Sequence, residues 1–72
     1  KVTGYFDCSF NELTSLAGSP KRCQLFNCSS NNLTNLKYAP ISCDYFRCND
    51  NPIQKGEKLS KYCGTVYKDK LL

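Results

Sequence analysis

Six cysteines in 72 residues hold most of the chemistry available to this chain, and they stand in two rows. Cys8, Cys28 and Cys48 form one row and Cys23, Cys43 and Cys63 the other, each stepping by 20 residues. A thiol can act as a nucleophile, ligate a soft metal or close a disulfide. Nucleophilic use needs a base, and the chain has no histidine from which to build a Cys–His pair. Metal binding is disfavoured by the same absence and by the lack of any Cys-x-x-Cys pair with tetrahedral zinc spacing. Six cysteines in so short a chain do suit a disulfide framework. Here, however, each one falls where a repeat calls for a small apolar side chain, and cysteine packs well in that role. The reading adopted is reduced, buried thiols, held inert because desolvation raises a thiol pKa; one or more disulfides is the alternative. The carboxylates Asp7, Glu12, Asp44, Asp50, Glu57 and Asp69 form no recognisable acid–base pair, and no glycine-rich phosphate loop occurs. No catalytic residue, cofactor or metal is therefore expected, and the chain does not read as an enzyme.

The rows that hold the cysteines belong to a wider pattern. The same step of 20 carries Phe6 to Phe26 and Phe46, Asn11 to Asn31 and Asn51, and Leu13 to Leu33 and Ile53. It also links Leu16 to Leu36 and Pro20 to Pro40. A fixed period of this length is the mark of a solenoid, in which no single coil can bury its own apolar side and stacked coils share one core. The stretch Tyr5-Phe6-Asp7-Cys8-Ser9 alternates, with Phe6 and Cys8 on one face, which predicts a short strand. Its copies lie at Leu25-Phe26-Asn27-Cys28 and Tyr45-Phe46-Arg47-Cys48, and a fourth strand begins near Cys63-Gly64-Thr65-Val66-Tyr67. One domain, 1–72, is predicted, with repeats at about 4–23, 24–43 and 44–63 and an incomplete terminal strand at 64–72. The second half of the third copy departs from the pattern: Gly56 replaces leucine, Ser60 replaces proline, and residues 55–61 suggest a short helical turn. Asn11, Asn31 and Asn51 fall at the bend after each strand, where a buried carboxamide can satisfy backbone groups left unpaired; all three are expected to be buried and bonded.

Composition sets the outer bounds. At 40% hydrophobic content the chain is expected to fold. No apolar run approaches the roughly 20 residues of a membrane span, and no basic-then-apolar leader is visible. With Lys1 first and no methionine, the sequence reads as processed or as part of a longer chain. The net charge of +4 is spread along the chain rather than gathered in a block.

The repeat Cys23-x-x-Phe26-x-Cys28-x-x-Asn31-x-Leu33 and its copy Cys43-x-x-Phe46-x-Cys48-x-x-Asn51-x-Ile53 resemble the leucine-rich repeat, L-x-x-L-x-L-x-x-N-x-L. The first copy reads Thr3-x-x-Phe6-x-Cys8-x-x-Asn11-x-Leu13, and the resemblance covers residues 3–68. The Phe-x-Cys-Ser-x-Asn-x-Leu-Thr-x-Leu form is similar to short repeats of bacterial and bacteriophage proteins. Cysteine stands where leucine is usual. The resemblance implies an α/β-type solenoid, mostly β with irregular or short helical returns, whose parallel sheet lines a concave face.

It further implies that outward strand positions form that face. Tyr5, Leu25, Tyr45 and Tyr67, with Phe10 nearby, make an aromatic and apolar cluster flanked by Asp7, Asn27, Arg47 and Asp50. Tyrosine and arginine are favoured at binding hot spots. The expected function is therefore protein–protein interaction with a partner of unknown identity, in a cytoplasmic or virion-associated setting. A structural component of a larger assembly, such as a phage virion with neighbouring subunits on the open ends, is one alternative. A secreted, disulfide-stabilised binding domain is another. Lys21, Arg22, Lys37, Lys55, Lys58 and Lys61 fall mainly on the return side, where no stacking aromatics are expected, so neither nucleic acid nor a membrane is the expected partner.

Overall fold

A computed structural model describes residues 4–59 and 62–68 and shows a β-solenoid of about 3 turns. Four strands follow one another in the chain: β1 (Tyr5–Asp7), β2 (Arg22–Asn27), β3 (Ser42–Arg47) and β4 (Tyr62–Tyr67). They form one parallel sheet in the order β1-β2-β3-β4. The register is that of the repeat. Phe6 lies beside Phe26, Phe26 beside Phe46 and Phe46 beside Val66, while Cys23, Cys43 and Cys63 are lateral neighbours.

Side-chain identity repeated at one period places like on like. The rings of Phe6 and Phe26 stack with centroids 5.1 Å apart, and those of Phe26 and Phe46 with centroids 5.3 Å apart and planes within 3°. Phe26, Phe46, Cys28 and Cys48 are fully buried, and Leu16, Leu33, Leu36, Cys23 and Cys43 complete the core. Beyond each strand the coils stay tied by backbone bonds. The N–H of Cys8 donates to Asn27 O and that of Cys28 to Arg47 O, both at 2.8 Å. At the bend that follows, Phe10, Ser30 and Asp50 all adopt left-handed backbone, with φ of 57°, 57° and 58°.

The asparagine column closes that bend. Asn31 Oδ1 accepts the Leu13 N–H at 3.0 Å, and its Nδ2 donates to the carbonyls of Cys8, Cys28 and Ser29. Asn51 repeats the arrangement one coil later with Leu33 N–H and the carbonyls of Cys28, Cys48 and Asn49. Each carboxamide thus stitches its own coil to the one before. Asn11 corrects the expectation of burial. It bonds the carbonyls of Cys8 and Ser9 but is exposed, because among the described residues no earlier coil covers it.

The returns are turns, with no helix among the described residues. Ser19 N–H donates to Leu16 O and Ala39 N–H to Leu36 O, at 3.0 and 3.1 Å. In the third return the corresponding bond runs from Glu57 N–H to Gln54 O, two residues earlier in the repeat. This replaces the short helical turn expected at 55–61, of which Ser60 and Lys61 lie outside the described residues. Gly56 is the physical reason: at φ 98° it makes a left-handed turn that a helix cannot contain. The shift carries Glu57 inward, where its carboxylate accepts the Leu36 N–H at 2.8 Å. In β4, Gly64 lies against the carbonyl of Asp44, and a Cβ there would approach that oxygen to 2.6 Å. No helix among the described residues is long and apolar enough to cross a membrane.

Candidate partner-binding face

The strand register decides which outward side chains meet. Tyr5, Leu25, Tyr45 and Thr65 form one lateral row across β1 to β4. Tyr5 is 74% and Tyr45 44% exposed, with Leu25 half-buried between them. Asp7, Asn27, Arg47 and Tyr67 form the next row. Asp7 and Arg47 are exposed; the side chain of Tyr67 lies outside the described residues, as does the terminal segment 69–72. Phe10, 81% exposed, and Asp50 occupy equivalent bends two coils apart, with Ser30 between them in sequence register. The nine candidates therefore divide into a strand row, a capping row and a rim.

The capping row has work within the fold. Asp7 Oδ1 accepts both the N–H of Ser9, at 3.0 Å, and its hydroxyl, at 2.6 Å. Asn27 Oδ1 does the same for Ser29, at 3.1 and 2.7 Å. These are Asx turns, in which a short polar side chain replaces a backbone acceptor. The Ser9 hydroxyl and N–H, with a smaller contribution from Arg47, hold the Asp7 carboxyl below the usual range. In the third coil Arg47 and Asn49 stand where the Asx–Ser pair should be, and the cap is not made. Asn49 Nδ2 donates to Asp50 at 3.2 Å, while its buried Oδ1 has no hydrogen-bond partner. The third coil gives up the local cap and presents Arg47 instead.

All six cysteines are free thiols. Burial pushes the Cys28 thiol up to about 12, and it also raises Cys8, Cys23 and Cys43, the last assisted by its neighbour Cys63. Cys28 Sγ donates to Arg47 O at 3.3 Å, and the sulfurs of Cys43 and Cys63 approach to 3.4 Å. The raised thiols of Cys8, Cys23, Cys28 and Cys43 stay neutral at pH 7 and are poor nucleophiles. No group of three or more His, Cys, Asp or Glu side chains among the described residues is placed to hold a metal ion.

These shifts predict an alkaline limit to stability. A thiol whose pKa is higher folded than unfolded keeps its proton in the native state when the unfolded chain would release it. Its contribution is complete below the unfolded value of 9.0 and is lost as the pH rises towards the folded value, about 12 for Cys28. Urea melts from pH 7 to 11 are expected to show flat stability to about pH 8.5 and a decline beyond it. Cys28→Ala should make that decline shallower by about 1.4 kcal/mol per pH unit, one thiol's share. An unchanged slope would remove Cys28 from the account.

One cluster escaped the reading of the sequence. Tyr38, Ile41 and Tyr62 are 64%, 50% and 62% exposed, and they share surface depressions with Lys21 and Arg22. For Lys21 and Arg22, the expectation that no stacking aromatics accompany the basic residues of the return side is thereby corrected. A signal existed: Tyr38 stands where the preceding coil has Gly18, and Ile41 where it has Lys21. Large apolar side chains at surface positions that a sister coil leaves small or charged have no role in the core. No family model, no curated protein and no solved structure matches the chain.

Proposed function

We propose that this chain is a short leucine-rich-repeat module that binds a protein partner through its strand face. The observation that carries the reading is the lateral row of Tyr5, Leu25 and Tyr45, next to Arg47, on a sheet whose other repeated residues are occupied by the core. An exposed tyrosine brings apolar area and a polar tip to a partner at low entropic cost, and arginine adds planar hydrogen bonding. The columns Phe26, Cys28, Asn31 and Leu33, all buried, support the family reading, since they hold the leucine and asparagine positions of that repeat. Under it, the sheet lines the concave side.

The test is comparative capture from cells of the native source, with bound proteins quantified by mass spectrometry. A Tyr45→Ala/Arg47→Ala chain should retain at least tenfold less of the partner than the unaltered chain, while melting at the same temperature. Asn32→Ala, an exposed change off the sheet, should capture as much as the unaltered chain. Equal capture by both variants would sink the proposed face.

A second reading, a component of a larger assembly, is favoured by the exposure of the first described coil. Phe6 is 36% exposed although Phe26 and Phe46 of its column are fully buried, and no N–H of a preceding coil reaches Asn11 Oδ1 among the described residues. Sedimentation of the isolated chain as a clean monomer at high concentration would argue against that reading.

A further inference from the structure

We infer that the flank carrying Lys21, Arg22, Tyr38, Ile41 and Tyr62 binds single-stranded nucleic acid. Two shallow depressions meet there and share Ile41. One is lined by Lys21 and Tyr38, the other by Arg22 and Tyr62, so each brings together one cation and one exposed ring. No described residue lining either depression carries a carboxylate. A ring and a positive charge repeated side by side complement a polymer whose unit is one planar base and one phosphate. Bases stack on tyrosine whatever their identity, and lysine and arginine track the backbone. An acidic peptide would match the charges but offers no ring in step with them.

The backbone at Tyr38 points the same way independently. Its φ of 67° is left-handed, and the preceding coil meets the same turn with Gly18 at φ 89°, the residue that adopts it without strain. Tyr38 N–H and carbonyl sit within the turn closed by Ala39 and Leu36, so the fold gains a turn from this position and needs no aromatic ring there. Tolerated strain at an exposed aromatic is the kind of departure that accompanies ligand contact. Ile41, half exposed between the two rings, supplies apolar surface for a sugar or a base edge.

The experiment is fluorescence anisotropy with a labelled ten-nucleotide oligothymidylate, repeated with oligouridylate, across a series of salt concentrations. Binding should weaken as salt rises. Tyr38→Ala/Tyr62→Ala should lower affinity at least tenfold with little change in salt slope. Lys21→Gln/Arg22→Gln should reduce the slope by about 1.4, the share of two phosphates on a single strand. Tyr38→Ala alone lies outside the strands and carries the test should Tyr62→Ala disturb β4; it should cost at least fivefold. The inference is overturned if neither oligonucleotide binds, or if the tyrosine variants bind as well as the unaltered chain. It is also overturned if a duplex of equal length binds as tightly, since backbone charge alone would then suffice. Equal competition by an oligoglutamate of the same charge would reassign the flank to an acidic peptide.

Discussion

Asn51→Ala is expected to unfold the domain or bring it to the edge of unfolding, while Asn11→Ala leaves it folded. Asn51 is 8% exposed, and its carboxamide serves four backbone groups drawn from two coils. Alanine would strand the Leu33 N–H and weaken the surroundings of three carbonyls. A buried polar group left without a partner costs about 1–3 kcal/mol. The sum, about 4 kcal/mol or more on that scale, compares with a total of about 4–11 kcal/mol for a chain of this length. Asn51→Asp offers no escape, because a carboxylate keeps the acceptor for Leu33 N–H but turns negative charge towards the carbonyls. Asn11 bonds only its own coil and is exposed to water, which replaces what alanine removes, so its loss should cost under about 1 kcal/mol. Urea denaturation followed by circular dichroism measures both. A loss of less than about 1.5 kcal/mol at Asn51, against the cost of its stranded groups, would mean that the carboxamide column does not hold the coils together.

That contrast shows what a repeating sequence can and cannot convey. The columns of Phe26, Cys28, Asn31 and Leu33 were legible because one physical demand, filling or satisfying the interior of a coil, recurs at one spacing and selects the same residue each time. Strand order, parallel pairing and register follow from stacking those columns. Position within the stack is invisible to the repeat. Asn11 and Phe6 carry the same letters as Asn31 and Phe26, but among the described residues the first coil has a neighbour on one side only, and the second on both. The third return was illegible for another reason. Gly56 moves the turn two residues earlier, and only the resulting bond from Leu36 N–H to Glu57 reveals that a carboxylate has taken over an interior task.

The candidate face was legible in part. Alternation along the strands sorted Tyr5, Leu25 and Tyr45 outward, and the register brings them together. Asp7 and Asn27 looked equally available, yet each is engaged by the serine two residues on, a local pattern readable as Asp-x-Ser and Asn-x-Ser. Arg47 gains prominence from the same comparison, because its coil gives up that cap. The rings at Tyr38 and Tyr62 were missed because surface columns vary freely. Only folding shows that residues 24 positions apart in the chain line adjoining depressions that meet at Ile41.

The second large effect is expected at Phe26, where alanine should cost about 3–5 kcal/mol. The ring is fully buried and stacked on both sides, at 5.1 Å from Phe6 and 5.3 Å from Phe46, so its removal opens a void that the rigid strands above and below cannot close. Phe26→Leu separates volume from stacking. Leucine fills much of the space but forfeits two ring pairs, each worth about 0.5–1.5 kcal/mol beyond its buried area, which places the variant at about 1–3 kcal/mol. Phe6→Ala has one ring neighbour and an already hydrated outer face, and should cost under about 2 kcal/mol. The gradient also bears on function, since the Phe column sets the height at which Tyr5, Leu25 and Tyr45 are presented. Phe26→Leu should therefore keep the strand face and the partner binding proposed for it, while Phe26→Ala should lose both together. Equal costs at Phe6 and Phe26 in an oligomer, with a smaller cost at Phe6 in the dissociated monomer, would show that another surface covers the first coil and that the stack continues across molecules.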